Sequence, residues 1–293
     1  MSSPEVFTNL QSRAIFGIGS AIVVVAAIIF SHIHPFEYCF LTVLALIQSF
    51  ALWEFWRLSR AKEFHPLSWP GIVFSALFLF MRFWAMNNPD FEFYREGLLY
   101  LFALTIFAAY FRRQKQALAN ISITFFGFFY IAIPLSLMID LNFGFLPPNF
   151  EQAPLWLVFL IFITKVCDTG AYFVGKLYGR RPLAPLLSPN KTVEGTVGGF
   201  VSAIFAGCVF FALVRFFDFP LFPDISFVEL LLLSAALAIA AILGDLGESL
   251  LKRDAALKDS NILPGVGGIL DMVDSLLFTT PLLYIYLRAK LLI

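Results

Sequence analysis

Apolar runs long enough to cross a bilayer recur from one end of this chain to the other, and nothing else in the sequence limits the fold so tightly. About nine can be counted, at roughly 14–31, 36–56, 69–86, 97–111, 121–139, 154–174, 196–217, 227–244 and 273–288. A helix needs about 20 such residues to span ~30 Å of hydrocarbon. There, a helix satisfies all its own backbone hydrogen bonds within one segment. Composition agrees, with 60% hydrophobic residues, 14% charged and a mean hydropathy of +0.84, which excludes a soluble enzyme domain. The 37 Phe residues suit lipid-facing helix surfaces. Short links leave no room for a separate soluble domain. The expectation is an all-α polytopic membrane protein of about nine transmembrane helices, forming one integral-membrane domain over 1–293.

The net charge is zero, yet the signs are segregated. Alternate loops gather bases: Arg57, Arg60 and Lys62; Arg112, Arg113 and Lys115; Lys176, Arg180, Arg181 and Lys191; Lys252, Arg253 and Lys258. The intervening loops lean acidic, with Asp90, Glu92 and Glu96, then Asp140 and Glu151, then Asp218 and Asp224. Basic loops stay on the cytoplasmic side, which places the N-terminus inside and the C-terminus outside, with Arg288 and Lys290 pulling mildly the other way. The segment after Arg13 lacks a small-residue cleavage site and reads as a retained first span. Cys39, Cys167 and Cys208 are isolated in apolar stretches and suit packing, not metal binding.

The first half, 1–150, carries its charges at helix ends and in loops and reads as helical scaffold. The second half, 151–293, reads as the catalytic half, because two polar islands interrupt it. In the first, Lys165 and Asp168 stand three apart on one helical face that Tyr172 continues. A pair bracing the bundle is the plain reading; a functional acid is the other. Downstream, Gly179-Arg-Arg and Ser188-Pro-Asn-Lys-Thr192 lead into Glu194-Gly-Thr-Val-Gly-Gly199. Amides opening a helix near Gly195, with Ser188, Lys191 and Thr192 beside them, suit an anion such as phosphate. Glu194 is spaced to orient Lys191.

In the second island, Asp245, Glu248, Ser249 and Lys252 recur at i, i+3, i+4 and i+7 along one stripe, and Arg253 follows. Asp271 and Asp274 open the last span after a glycine cluster of Gly265, Gly267 and Gly268. Counting about 1.5 Å per residue from the outer ends places Asp168, Asp245 and Asp271 toward the cytoplasmic side. Acids converging with bases in a membrane suit a divalent cation that holds phosphate.

Ser249-Leu-Leu-Lys-Arg, Lys258-Asp259 and Leu263-Pro-Gly-Val-Gly-Gly-Ile-Leu-Asp-Met-Val-Asp274 resemble the signature of the phosphatidate cytidylyltransferases, the CDP-diacylglycerol synthases. Asp168-Thr-Gly-Ala-Tyr-Phe and Ser188-Pro-Asn-Lys-Thr-Val-Glu-Gly are similar to the same family, so the resemblance covers about residues 165–280. Val266 stands where that pattern has His, and Met272 where it has Arg between the two acids. The resemblance implies transfer of CMP from CTP to phosphatidic acid, giving CDP-diacylglycerol and pyrophosphate for phospholipid biosynthesis. It implies Mg²⁺, with a second cation beside it as an option, and points to Asp245 and Asp271 as metal ligands. Asp168 and Asp274 are then supporting acids, and Lys252, Arg253, Lys258 and Asp259 complete the catalytic set. Ser188, Lys191, Thr192, Glu194, Gly195, Ser249, Gly265, Gly267 and Gly268 are the substrate-binding candidates. The expected partners are CTP, phosphatidic acid and bilayer lipid; nucleic acid is not expected, and a homodimer stays open. The expected setting is a bacterial inner membrane, with the active site facing the cytoplasm. The alternatives are a CTP-dependent kinase or cytidylyltransferase acting on a polyprenol or ether lipid, and an ion-coupled transporter. The clustering of the acids on one side disfavours transport.

Overall fold

The computed structural model describes residues 24–88, 90–112, 115–144, 154–219, 224–255 and 268–292, and these are helical almost throughout. After a helical stretch at 24–30 come α1 (Glu37–Ala61), α2 (Ser68–Asn87), α3 (Asp90–Tyr110) and α4 (Ala117–Gly127). Two wide π-helical turns, Phe128–Ala132 and Asp140–Gly144, bracket α5 (Ile133–Ile139). Then follow α6 (Leu155–Tyr178), α7 (Val193–Phe216), α8 (Phe227–Asp254) and α9 (Ile269–Leu292). The first widening has a local cause: Pro134 has no amide hydrogen for the Tyr130 carbonyl, and its ring crowds the preceding turn.

Among the described residues, seven helical segments are long and apolar enough to cross a membrane: α1, most of α2, the continuous run Ala117–Gly144, α6, α7, α8 and α9. This is a polytopic helical membrane protein. Of the nine expected spans, 14–31 falls mostly outside the described residues. The span expected at 97–111 lies in α3, whose first two turns carry Asp90, Glu92, Arg95 and Glu96. Large apolar side chains such as Phe107, Phe205, Leu213 and Leu232 face outward, as a lipid-solvated surface requires.

The residues group into two compact units, one running up to Phe128 and including Ala255–Met272, the other comprising Phe129–Asp254 and the chain from Val273 on. In the first, Trp56 is fully buried and donates its indole N–H to the Ile123 carbonyl at 3.4 Å. The link before α2 is fastened to α4: Asn120 and Thr124 side-chain oxygens accept from the His65 and Leu67 amides at 2.7 and 3.1 Å. In the second unit α6 and α7 lie almost backbone to backbone. A methyl group at Gly199 would come within 2.7 Å of the Cys167 carbonyl oxygen, so only glycine fits. The basic stretch between these helices is a β-hairpin: β1 (Pro182–Ala184) pairs antiparallel with β2 (Ser188–Thr192).

Candidate active site

The second unit gathers acids and bases from α6, α8, α9 and the hairpin. Lys165 and Asp168 pair at 3.7 Å across one turn of α6, as their spacing predicts. Asp168 also accepts a hydrogen bond from the Ser275 hydroxyl of α9 at 3.4 Å. From the hairpin, the Lys191 ammonium reaches Asp245 on α8 at 2.5 Å. One turn beyond Asp245, buried Glu248 pairs with Lys252 at 2.9 Å. Ser249 sits half-buried on the same stripe. Helix α8 continues to Asp254, so Asp245 lies nine residues inside it, not at its end. Gly244 makes the convergence possible: a methyl there would meet the Asp274 carbonyl oxygen at 2.5 Å, so α8 and α9 touch where Asp245 and Asp274 stand.

Asp274 feels the charges of both Asp245 and Asp168. It is 5% exposed, accepts from the Ser275 amide and forms no ion pair among the described residues. The cluster is therefore short of positive charge, and hard carboxylate oxygens suit Mg²⁺. No three acid, His or Cys side chains among the described residues converge as a ready metal cage. Mg²⁺ in phosphoryl chemistry does not need one, since it is bound by one or two carboxylates, with water and substrate phosphates completing the shell. The residues present fit that ion.

Around the start of α7 the Gly195 amide and the Lys191 ammonium are already engaged. Thr192 is the N-cap, its hydroxyl accepting from the Gly195 amide at 3.1 Å. Glu194 accepts from the Arg180 and Arg181 amides at 3.0 and 3.1 Å, which anchors the entry to the hairpin. Lys191 is thus oriented by Asp245 rather than by Glu194. Ser188 opens β2, and Arg253 at the end of α8 donates to the Leu187 carbonyl at 2.9 Å, tying the hairpin turn to that helix.

The start of α9 lies in the first unit. Asp271 is in its first turn, and its carboxylate accepts from the Gly268 amide at 3.2 Å. The next two amides, Ile269 and Leu270, donate to the two carboxylate oxygens of Glu54 on α1, at 2.9 and 2.7 Å. Glu54 is 2% exposed. Sequence reasoning passed over it, although an acid inside the apolar run Phe50–Phe55 was a signal. Ser275 was missed too; a lone Ser in an apolar helix carries little signal. Met272 is 38% exposed on α9. Lys258, Asp259, Gly265, Val266 and Gly267 lie outside the described residues.

The fold and site define a polytopic helical membrane protein that gathers acids and lysines from three helices and a hairpin. The sequence matches the model of the Cytidylyltransferase family over residues 11–290. It is 34% identical over 287 residues to the phosphatidate cytidylyltransferase of Bacillus subtilis (strain 168), covering 95% of this chain and 98% of that one. It is 35% identical over 246 residues to the phosphatidate cytidylyltransferase of Chlamydia pneumoniae, covering 80% and 78%. To that of Synechocystis sp. it is 31% identical over 270 residues, covering 84% and 87%. The chain belongs to the cytidylyltransferase family, whose members are nucleotidyltransferases.

Proposed function

We propose that this protein transfers the cytidylyl group of CTP to phosphatidic acid, releasing CDP-diacylglycerol and pyrophosphate at the cytoplasmic face of a bacterial inner membrane. The observation that carries the reading is the Lys191–Asp245 pair, set among Asp168, Asp274, Glu248 and Lys252. It joins a lysine from a basic hairpin to an acid in an apolar helix, and the relatives named above align with 80 to 95% of the chain around it.

A phosphate oxygen of the lipid forms a bond to the α-phosphorus of CTP. The bond from that phosphorus to the bridging oxygen of the β-phosphate breaks, and pyrophosphate leaves with the electron pair. A phosphate monoester has a second pKa of ~6, so the nucleophile is already anionic and needs no dedicated base. The obstacle is repulsion between two anions, and cations placed beforehand remove it. Lys191, Lys252, Arg253 and Lys258 supply such charge to the triphosphate and the lipid phosphate. Asp245 and Asp271 would hold Mg²⁺, which when bound neutralises phosphate oxygens. Asp168 and Asp274, in the second unit with Asp245, would be supporting acids. Lys191, paired with Asp245 here, lies where its ammonium would serve a phosphate oxygen.

The test is purified protein in detergent with phosphatidic acid or a panel of lipid alcohols, Mg²⁺ and CTP labelled on either the α- or the γ-phosphate. Label from the α-position entering lipid is expected. Label from the γ-position entering a lipid alcohol, with none from the α-position, would make the protein a kinase instead.

A further inference from the structure

We propose that Glu54 is a positioning residue for the reaction, fixing where α9 begins and hence the height and rotation of Asp271. The first amides of a helix have no partner within it, and at membrane depth each must find one. Here Ile269 and Leu270 both donate to one carboxylate, at 2.9 and 2.7 Å, and that carboxylate is 2% exposed. Donation from two amides at a positive helix end is a strong, directional arrangement for a buried carboxylate. The Gly268 amide is held by Asp271 itself. Three successive amides at this helix start, those of Gly268, Ile269 and Leu270, are therefore committed to carboxylates. Asp271 stands one residue beyond the two amides that Glu54 grips. The fork also sets the helix phase: losing one oxygen releases one amide and lets the first turn fray or rotate, carrying Asp271 with it.

Only the turnover arm of the test rests on the cytidylyl transfer proposed above. Full-length protein in detergent, without metal or nucleotide, is compared by hydrogen exchange over residues 268–272 for wild type, Glu54→Gln and Glu54→Asp. Gln keeps the size but offers one acceptor and turns an NH₂ toward the other amide. Asp keeps both acceptors on a shorter stem. Exchange of this segment should quicken about tenfold or more in Glu54→Gln and less in Glu54→Asp, while the middle of α9 stays as protected as in wild type. Turnover should fall in the same order through kcat, with the KM for CTP moving less than about threefold. Unchanged exchange in Glu54→Gln overturns the proposal. Quickened exchange with full kcat overturns it as well, because the cap would then be purely structural. Lost turnover with wild-type exchange also overturns it, because Glu54 would then act by touching substrate or metal. If Glu54→Gln does not fold, Glu54→Asp decides alone by the same criteria. Should wild type transfer no cytidylyl group, the proposed function falls and the exchange comparison alone judges the cap.

Discussion

The two units partner their carboxylates in opposite ways. In the first, Glu54 is gripped by two backbone amides that cannot move without unwinding a helix. In the second, Asp168, Asp245 and Glu248 are each matched by a lysine, at 3.7, 2.5 and 2.9 Å. An amide partner is permanent; a lysine on a flexible stem can be exchanged for a metal ion or leave for a phosphate. The contrast separates an acid fixed by the backbone from acids whose partners can be exchanged.

Substitutions that remove a working acid should have the largest effect. Asp245→Asn and Asp271→Asn should lower turnover at least about a thousandfold while the protein still purifies as a folded species, since electrostatic groups at the reacting centre act on this scale. More than a tenth of wild-type activity in either would break the assignment. Next comes the contact that brings the acids together. Gly244→Val places a side chain against the Asp274 backbone and should reduce turnover about a hundredfold with a lowered melting temperature. The exchangeable cations follow. Lys191→Met should reduce kcat about 10²-fold, and because the lysine no longer competes for Asp245, half-saturation by Mg²⁺ should move to lower concentration. A shift to higher Mg²⁺ would show that Lys191 helps to hold the ion rather than standing in for it. Smallest is Met272→Arg, which adds a base at an exposed position between the two acids and should improve kcat/KM for CTP by no more than about tenfold.

Much of this architecture was legible because bilayer physics is one-dimensional: seven of the expected spans fall on membrane-length helices by apolar length alone. The Lys165–Asp168 pair and the stripe from Asp245 to Lys252 were legible because both are helical and i+3 or i+4 neighbours meet on a helix. The same rule misled at Lys191 and Glu194, three apart. Lys191 precedes the helix that begins at Val193, and on a strand that spacing does not bring side chains together. The hairpin itself gave no signal, since its strands are three and five residues long and rich in proline. Glu54 was hidden differently. Its partners lie 215 and 216 residues away, and only the folded first unit brings an acid of α1 to the start of α9.

The most direct test of the central claim, that the proposed acids hold a cation in order to transfer nucleotide, is a metal titration. Transfer of α-labelled phosphate from CTP to phosphatidic acid would be followed in purified wild-type protein across a Mg²⁺ series, ending in excess chelator. The account predicts activity that rises to saturation with Mg²⁺ and vanishes in chelator. Transfer that persists undiminished in chelator would contradict it.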